Sequence, residues 1–377
     1  MLINISASPY HAGKFQDRLS LLRARVRQTH RPVIYVNTVG GQAELVFDGR
    51  SMAFDAKGKR VLLAKSFEED IKCADVQLTP RGASVQSDKS EPLTEGVDEI
   101  YRALTLATRD YVEKNRFRKV TLGLSGGIDS ALTACIAVDA LGRDRVVGVT
   151  MPSRFSSKGT RSDARLLAEN LGIEFHSIPI ENVFKAYLNT LTGVFAGQKP
   201  DVTEENLQSR IRGTLLMAIS NKFGHLVLTT GNKSEVSTGY CTLYGDTAGG
   251  FAVLKDVPKT LVYRLSNWVN KKAGREIIPK STILRAPSAE LKHNQKDQDR
   301  LPPYDLLDRV IRGFVEEDRG YDELSKTGIN RAVLQKVISL INTSEYKRRQ
   351  SAPGIKITPK SFGRDRRMPI TNRFREF

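Results

Sequence analysis

LGLSGGIDSAL, residues 122–132, decides the fold. An apolar stretch, KVTLGL (119–124), runs into two glycines and then into an apolar segment of helical period. Gly126 and Gly127 permit backbone conformations that a Cβ would hinder, so successive N–H groups can converge on an anion. Ser125 and Ser130 add hydroxyl donors, and the helix that follows offers its positive N-terminal end. No lysine follows the glycines as in GxxxxGK[ST]; Asp129 stands there instead. A carboxylate repels a bare phosphate, but a Mg²⁺ between the two turns repulsion into attraction. The plain alternative is a strand–turn–helix junction with an Asp/Ser cap. The full S-G-G-x-D-S string after an apolar strand is more specific than that.

Outward from this loop, strands alternate with helices of 10–15 residues. A helix over 97–115 precedes the loop. Strand RVVGVTMP, helix TRSDARLLAENLG, strand EFHSIPI, the long helix EENLQSRIRGTLLMAISNKFG and strand HLVLTTG follow it. This order predicts an α/β domain with a doubly wound parallel sheet. Ligands of such sheets lie at the carboxyl ends of the strands, so SGGIDS and TGNKSE (230–235) are expected to face one pocket. Residues 1–82 read as β-rich, with DG and KGK turns. The polar stretch 83–95 reads as a linker, and 96–377 forms the main domain.

The totals narrow the function. With 377 residues and 40% hydrophobic content the chain buries a substantial core. No run of about 18 apolar residues predicts a membrane span. The N-terminus lacks a basic region followed by an apolar core, as a signal peptide would have. Cys73, Cys135 and Cys241 form no CxxC pair, which argues against disulfides and zinc and suits a reducing cytoplasm. A net charge of +17 raises nucleic acid as a partner. No RNA-binding signature or aromatic interleaving supports it, and a basic surface around a site for anionic small molecules fits better.

The SGGIDS string resembles the pyrophosphate loop of the N-type ATP pyrophosphatases, which have an adenine nucleotide alpha hydrolase-like, Rossmann-like fold. They cleave ATP to AMP and pyrophosphate, so the loop resembles a holder for the leaving group and needs no Walker lysine. LTTGNKSEVSTGYCTLYGD (228–246) looks specifically like NAD synthetase. The resemblance implies ATP and pyrophosphate binding by Gly123, Leu124, Ser125, Gly126, Gly127, Ile128, Asp129 and Ser130. It adds Thr230, Lys259 (in GDTAGGFAVLKDVPKTLVYRL) and Ser288 (in ILRAPSAEL) as ATP contacts. It implies deamido-NAD binding by Asn206 and Arg210 on one helix face, by Glu235, and by Lys347 in EYKRRQSAPGIKI. Asp129 and Glu235 would be the metal ligands, and Asp129, Ser125 and Ser130 the catalytic group. From spacing alone, Glu235 could equally be an exposed loop acid.

Leu243 and Gly250 stand where the ammonia-dependent branch has a lysine and an aspartate, which places the chain in the glutamine-dependent branch. NISASPYHAGK (4–14) resembles the closing portion of a nitrilase-type αββα glutaminase, with Ser8 and Lys14 at glutamine contacts. That domain needs a Glu–Lys–Cys triad, whose members lie upstream of this stretch in the family; Cys73, in EEDIKCADVQ, has no matching surroundings. Residues 1–82 therefore read as a glutaminase remnant, from a truncated gene product or a fragment. The expected reaction is ATP-dependent amidation of deamido-NAD with Mg²⁺, using free ammonia, by a cytoplasmic homodimer or larger homo-oligomer. The alternatives are an inactive nucleotide-binding relative, or another ATP pyrophosphatase such as a GMP synthetase.

Overall fold

Val120, Thr121 and Leu122 are wholly buried, and they place strand β9 at the centre of the main sheet. In the computed structural model, residues 1–377 are described except positions 81, 88, 89, 372, 373, 375 and 376. The chain divides into two units, Met1–Tyr111 and Val112–Phe377.

The first unit begins with β1 (Leu2–Ser6), α1 (Lys14–Thr29) and β2 (Val33–Asn37). β3 (Val39–Gln42), β4 (Leu45–Asp48), β5 (Met52–Phe54) and β6 (Arg60–Leu63) follow. β7 (Asp75–Thr79), β8 (Gly82–Gln86) and α2 (Gly96–Lys114) complete it, with the division of the units falling inside α2. β1 runs parallel to β2, and β5 and β6 add antiparallel strands in the order β1-β2-β5-β6. β3 with β4, and β7 with β8, form two separate antiparallel pairs.

Two features here differ from the sequence reading. α1 is a 16-residue helix in a region read as β-rich. Its buried residues Phe15, Leu19, Leu22 and Val26 recur at helical spacing and pack on Val33, Tyr35, Met52 and Phe54. Arginines between those positions dilute the apolar signal, and one of them, Arg18, is itself buried by an ion pair to Asp48 at 3.0 Å. The stretch read as a linker opens with a strand, β8, because Val85 is buried and pairs with Val76. Asp88 and Lys89 of that stretch lie outside the described residues.

The second unit carries the alternating pattern. β9 (Val120–Gly123), α3 (Ile128–Leu141), β10 (Val146–Thr150), α4 (Lys158–Leu171), β11 (Glu174–Ser177) and α5 (Glu181–Leu191) come first. α6 (Val202–Phe223), β12 (Leu226–Thr229), α7 (Lys233–Thr238), β13 (Phe251–Ala252) and α8 (Lys259–Ala273) continue it. The sheet is all parallel, ordered β11-β10-β9-β12-β13. α3, almost wholly buried, packs on β9, β10 and α8. Phe184 of α5 and Ile211 and Leu216 of α6 form a core with Val147, Val149 and Val227. The chain leaves β9 outward through β10 and β11, then resumes on its other side with β12 and β13. That reversal opens a crevice at the carboxyl ends of β9 and β12.

α9 (Lys280–Leu284), α10 (Tyr304–Ile311), α11 (Tyr321–Ser325), α12 (Arg331–Thr343) and α13 (Glu345–Arg348) follow. A second core joins α10, α11 and α12 through Leu307, Val310, Leu324, Leu334 and Ile338.

Candidate active site

A cavity of about 410 Å³ opens at the carboxyl ends of β9, β10 and β12. The loop after β9 forms its floor. Gly126 holds φ +81°, a conformation glycine adopts without penalty. Gly127 N donates to Ser125 Oγ at 3.2 Å, and Ser130 Oγ donates to Gly127 O at 2.9 Å. The two serine hydroxyls also lie 3.2 Å apart. Ser125 and Ser130 thus brace the loop, in addition to lining the cavity.

Asp129, in the first turn of α3, faces the residues after β12. Its Oδ1 accepts from Asn232 Nδ2 at 2.9 Å, and its Oδ2 pairs with Lys259 Nζ. Asn232 caps α7: Glu235 N donates to Asn232 Oδ1 at 3.0 Å, and Asn232 N donates to Glu235 Oε2 at 3.1 Å. One buried asparagine therefore fixes both carboxylates. Lys259 Nζ sits 4.0 Å from Glu235 Oε1, so an ammonium stands between the two acids. Burial first, and then the charge of Asp129, raise the Glu235 carboxyl above its ordinary range, while Lys259 opposes the shift. Asp297 adds a third acid, bound to Tyr304 Oη at 2.7 Å.

Two of these carboxylates suit a divalent cation that takes oxygen ligands from the protein and the rest from phosphates and water. Among the described residues, no group of three or more His, Cys, Asp or Glu side chains forms a complete protein cage.

Thr230, Ser288, Asn206 and Lys347 also line the cavity. Asn206 Oδ1 accepts from Thr242 Oγ1 at 2.8 Å. Lys347 Nζ donates to the carbonyls of Gly239 and Cys241 at 2.7 and 2.8 Å, which pins the segment after α7. Ser288 Oγ accepts from Glu290 N at 3.1 Å. Arg210 is the exception. It is exposed, donates to Leu243 O at 3.2 Å, and lies outside the cavity lining. α6 lines the cavity through Val202, Glu205, Asn206, Ser209, Arg212, Gly213 and Leu216, a lining that does not include Arg210 although it lies one turn from Asn206.

Ser8 N donates to Asn37 Oδ1 at 2.8 Å beside the Arg18–Asp48 pair, and Lys14 is half-buried at the start of α1. Cys241 lines the cavity, but burial and then Asp246 push its thiol up to about 12, which removes it as a nucleophile at neutral pH. Cys73 is exposed in the first unit.

Lys233 and Asn232 were not singled out in the sequence. Lys233 is wholly buried and points away from the cavity. It pairs with Asp256 at 2.9 Å and Glu316 at 2.7 Å, and donates to Thr358 Oγ1 at 2.6 Å. Burial by itself lowers its pKa, but the two acids outweigh that and hold it charged. Lys233→Met leaves two buried carboxylates without a counter-charge. The expected loss is about 3–5 kcal/mol of stability, read from denaturant unfolding. A loss below about 1 kcal/mol would contradict this account of the residue.

A family model of NAD synthase matches residues 100–351, and one of carbon-nitrogen hydrolase matches residues 1–83. The chain is 50% identical to the glutamine-dependent NAD(+) synthetase of Thermotoga maritima, over all of this chain and 70% of that one. It is 46% identical to that of Aquifex aeolicus, over 99% of this chain and 71% of the other. The solved glutamine-dependent NAD(+) synthetase of Acinetobacter baumannii, in complex with ADP, is 45% identical with a TM-score of 0.73. That match covers 98% of this chain and 68% of the other.

Proposed function

Because the chain belongs to the glutamine-dependent NAD(+) synthetase family, whose members are ligases that form a carbon–nitrogen bond, we propose that its cavity amidates deamido-NAD at the expense of ATP. The observation that carries this reading is one cavity lined by both the SGGIDS loop and the Thr230–Glu235 turn, with Asn232 tying Asp129 to Glu235.

A carboxylate resists attack by ammonia because the anion is resonance-stabilised and has no leaving group. Transfer of AMP to the nicotinate carboxylate makes a mixed anhydride and expels pyrophosphate. Ammonia then displaces AMP and leaves the amide. In this reading the loop 123–130 takes the pyrophosphate on its backbone N–H groups and the N-terminal end of α3. Lys259, Thr230 and Ser288 contact ATP, and Asn206, Glu235 and Lys347 contact deamido-NAD. Arg210, outside the cavity lining, would reach the same substrate only from its rim. Asp129 and Glu235 would hold Mg²⁺, which when bound supplies charge neutralisation at the phosphates. The protein contributes chiefly positioning and a water-poor pocket with fixed charges.

Cys73 is the one cysteine in the carbon–nitrogen hydrolase segment, and it is exposed among acidic residues. Its surroundings, EEDIKCADVQ, do not match those of a nitrilase-type nucleophile. The polypeptide of residues 1–377 is therefore expected to take nitrogen from ammonia and not from glutamine. An assay of NAD formation with each as sole nitrogen source tests this; turnover supported by glutamine alone would overturn it. Among the described residues no helix is long and apolar enough to cross a membrane.

A further inference from the structure

The amino terminus of α8 is built against two local rules. Its cap position is Pro258, which has no side-chain oxygen to offer, so the first N–H groups of the helix need acceptors from elsewhere. Its first residue is Lys259, a buried cation at the positive end of the helix, where the dipole disfavours it.

The acceptors come from two other helices. Lys259 N donates to Ser234 Oγ of α7 at 2.9 Å, and Thr260 N donates to Asp308 Oδ2 of α10 at 2.9 Å. Thr260 Oγ1 donates to the same oxygen at 2.8 Å, and Ser234 Oγ donates to Asp308 Oδ1. One carboxylate therefore holds the backbone of Lys259 from both sides, directly through Thr260 and indirectly through Ser234. It also brings a negative charge to the start of α8, which offsets the unfavourable placement of the lysine. Burial raises the Asp308 carboxyl above its ordinary range, and the bonds from Ser234 and Thr260 oppose the shift. Asp308, Ser234 and Thr260 all lie outside the cavity lining. What reaches the cavity from this cluster is the side chain of Lys259, with Nζ against Asp129 and 4.0 Å from Glu235 Oε1. Glu235 is fixed separately by Asn232, so Lys259 is the group that depends on Asp308.

We propose that Asp308 is a positioning residue for Lys259: through the start of α8 it holds Nζ between Asp129 and Glu235, and so governs the rate of the ATP-dependent step without touching substrate. This rests on the reading of the cavity as an ATP site. The helical core that carries α10 is thereby tied to the chemistry at the carboxyl end of the sheet through one side chain.

The test compares wild type, Asp308→Asn, Ser234→Ala and Val310→Ala in the full chain, with ATP, deamido-NAD and ammonium. An asparagine fills the same space but accepts on one side only, so either Thr260 or Ser234 is released. Val310 is wholly buried on the same helix and belongs to the helical core, so its truncation reads loss of packing alone. The kcat should fall about 10- to 100-fold in Asp308→Asn, the scale of a group displaced by up to about 1 Å. It should fall about 3- to 10-fold in Ser234→Ala, which frees only Lys259 N. The KM for deamido-NAD should stay within about twofold in both. Val310→Ala should lower the melting temperature and keep wild-type kcat. In single turnovers with enzyme in excess, Asp308→Asn should add less than about twofold to the loss in Lys259→Met, because the group it positions is gone. Ser234→Ala, the milder change, carries the comparison if Asp308→Asn does not fold. Wild-type kcat in the folded Asp308 and Ser234 variants overturns this inference alone. So does an equal loss of kcat in Val310→Ala, or full multiplication of the two losses in the double variant. A folded wild type that makes no AMP from ATP overturns the ATP reading, and this inference with it.

Discussion

Gly126→Ala is expected to lose both stability and activity, although the change adds a single methyl group. At φ +81° an alanine is strained by about 1–2 kcal/mol. The added Cβ would lie 2.7 Å from the carbonyl carbon of Thr160 and 2.8 Å from its Cα, and would fall onto the carbonyl oxygen itself. Those are backbone atoms in the first turn of α4, so α4 or the loop has to move. Displacing α4 disturbs the bond from Thr160 Oγ1 to Glu290 at 2.9 Å. Displacing the loop breaks the bond from Arg285 Nη1 to Gly126 O at 3.2 Å. Stability should fall by about 3 kcal/mol or more. A loop shifted by about 1 Å loses on the order of 100-fold in rate. Gly127→Ala is the control: at φ −88° its Cβ would meet only Ser125 Oγ, at 3.2 Å. Equal effects of the two substitutions, measured by thermal melting and steady-state rate, would refute the argument.

Asp129→Asn is expected to reduce kcat on the order of 100- to 1000-fold, the scale of losing one group that stabilises developing charge. The amide is the same size and keeps one oxygen, so Asn232 need not move far. The negative charge facing Glu235 and Lys259 is gone, and with it one of two oxygen donors suited to a divalent cation. The side chain is 18% exposed, so the loss of its pairing with Lys259 costs less stability than a fully buried pair would. The activity loss should therefore far exceed the change in melting temperature. A variant within a few-fold of wild type would exclude Asp129 from the chemistry.

The loop and the parallel sheet were legible because each is carried by local pattern, whereas the pairing of Asp129 with Glu235 was an implication of the family resemblance, spacing alone leaving Glu235 open. Strand, glycines and helix follow one another within 11 residues, and the crevice follows from strand order. Side-chain partners were less accessible. Lys233 sits beside Glu235 in the TGNKSE turn, yet it turns inward to residues from 256 to 360, a destination no local spacing announces. Asn232 reads as an ordinary cap, and only the fold brings Asp129 to its amide. On α6, SRIRG offers two arginines, and the helical phase set by Glu205, Ser209 and Leu216 selects Arg212 rather than Arg210. α1 was obscured because arginines separate its apolar positions, and one of them is paired inside the core.

The most direct measurement follows every product of one reaction: folded residues 1–377 with ATP, Mg²⁺, deamido-NAD and ¹⁵N-labelled ammonium. The account predicts one AMP and one pyrophosphate for each NAD formed, with the label in the nicotinamide amide. ADP and orthophosphate in place of AMP and pyrophosphate, or ATP cleavage without labelled NAD, would contradict it.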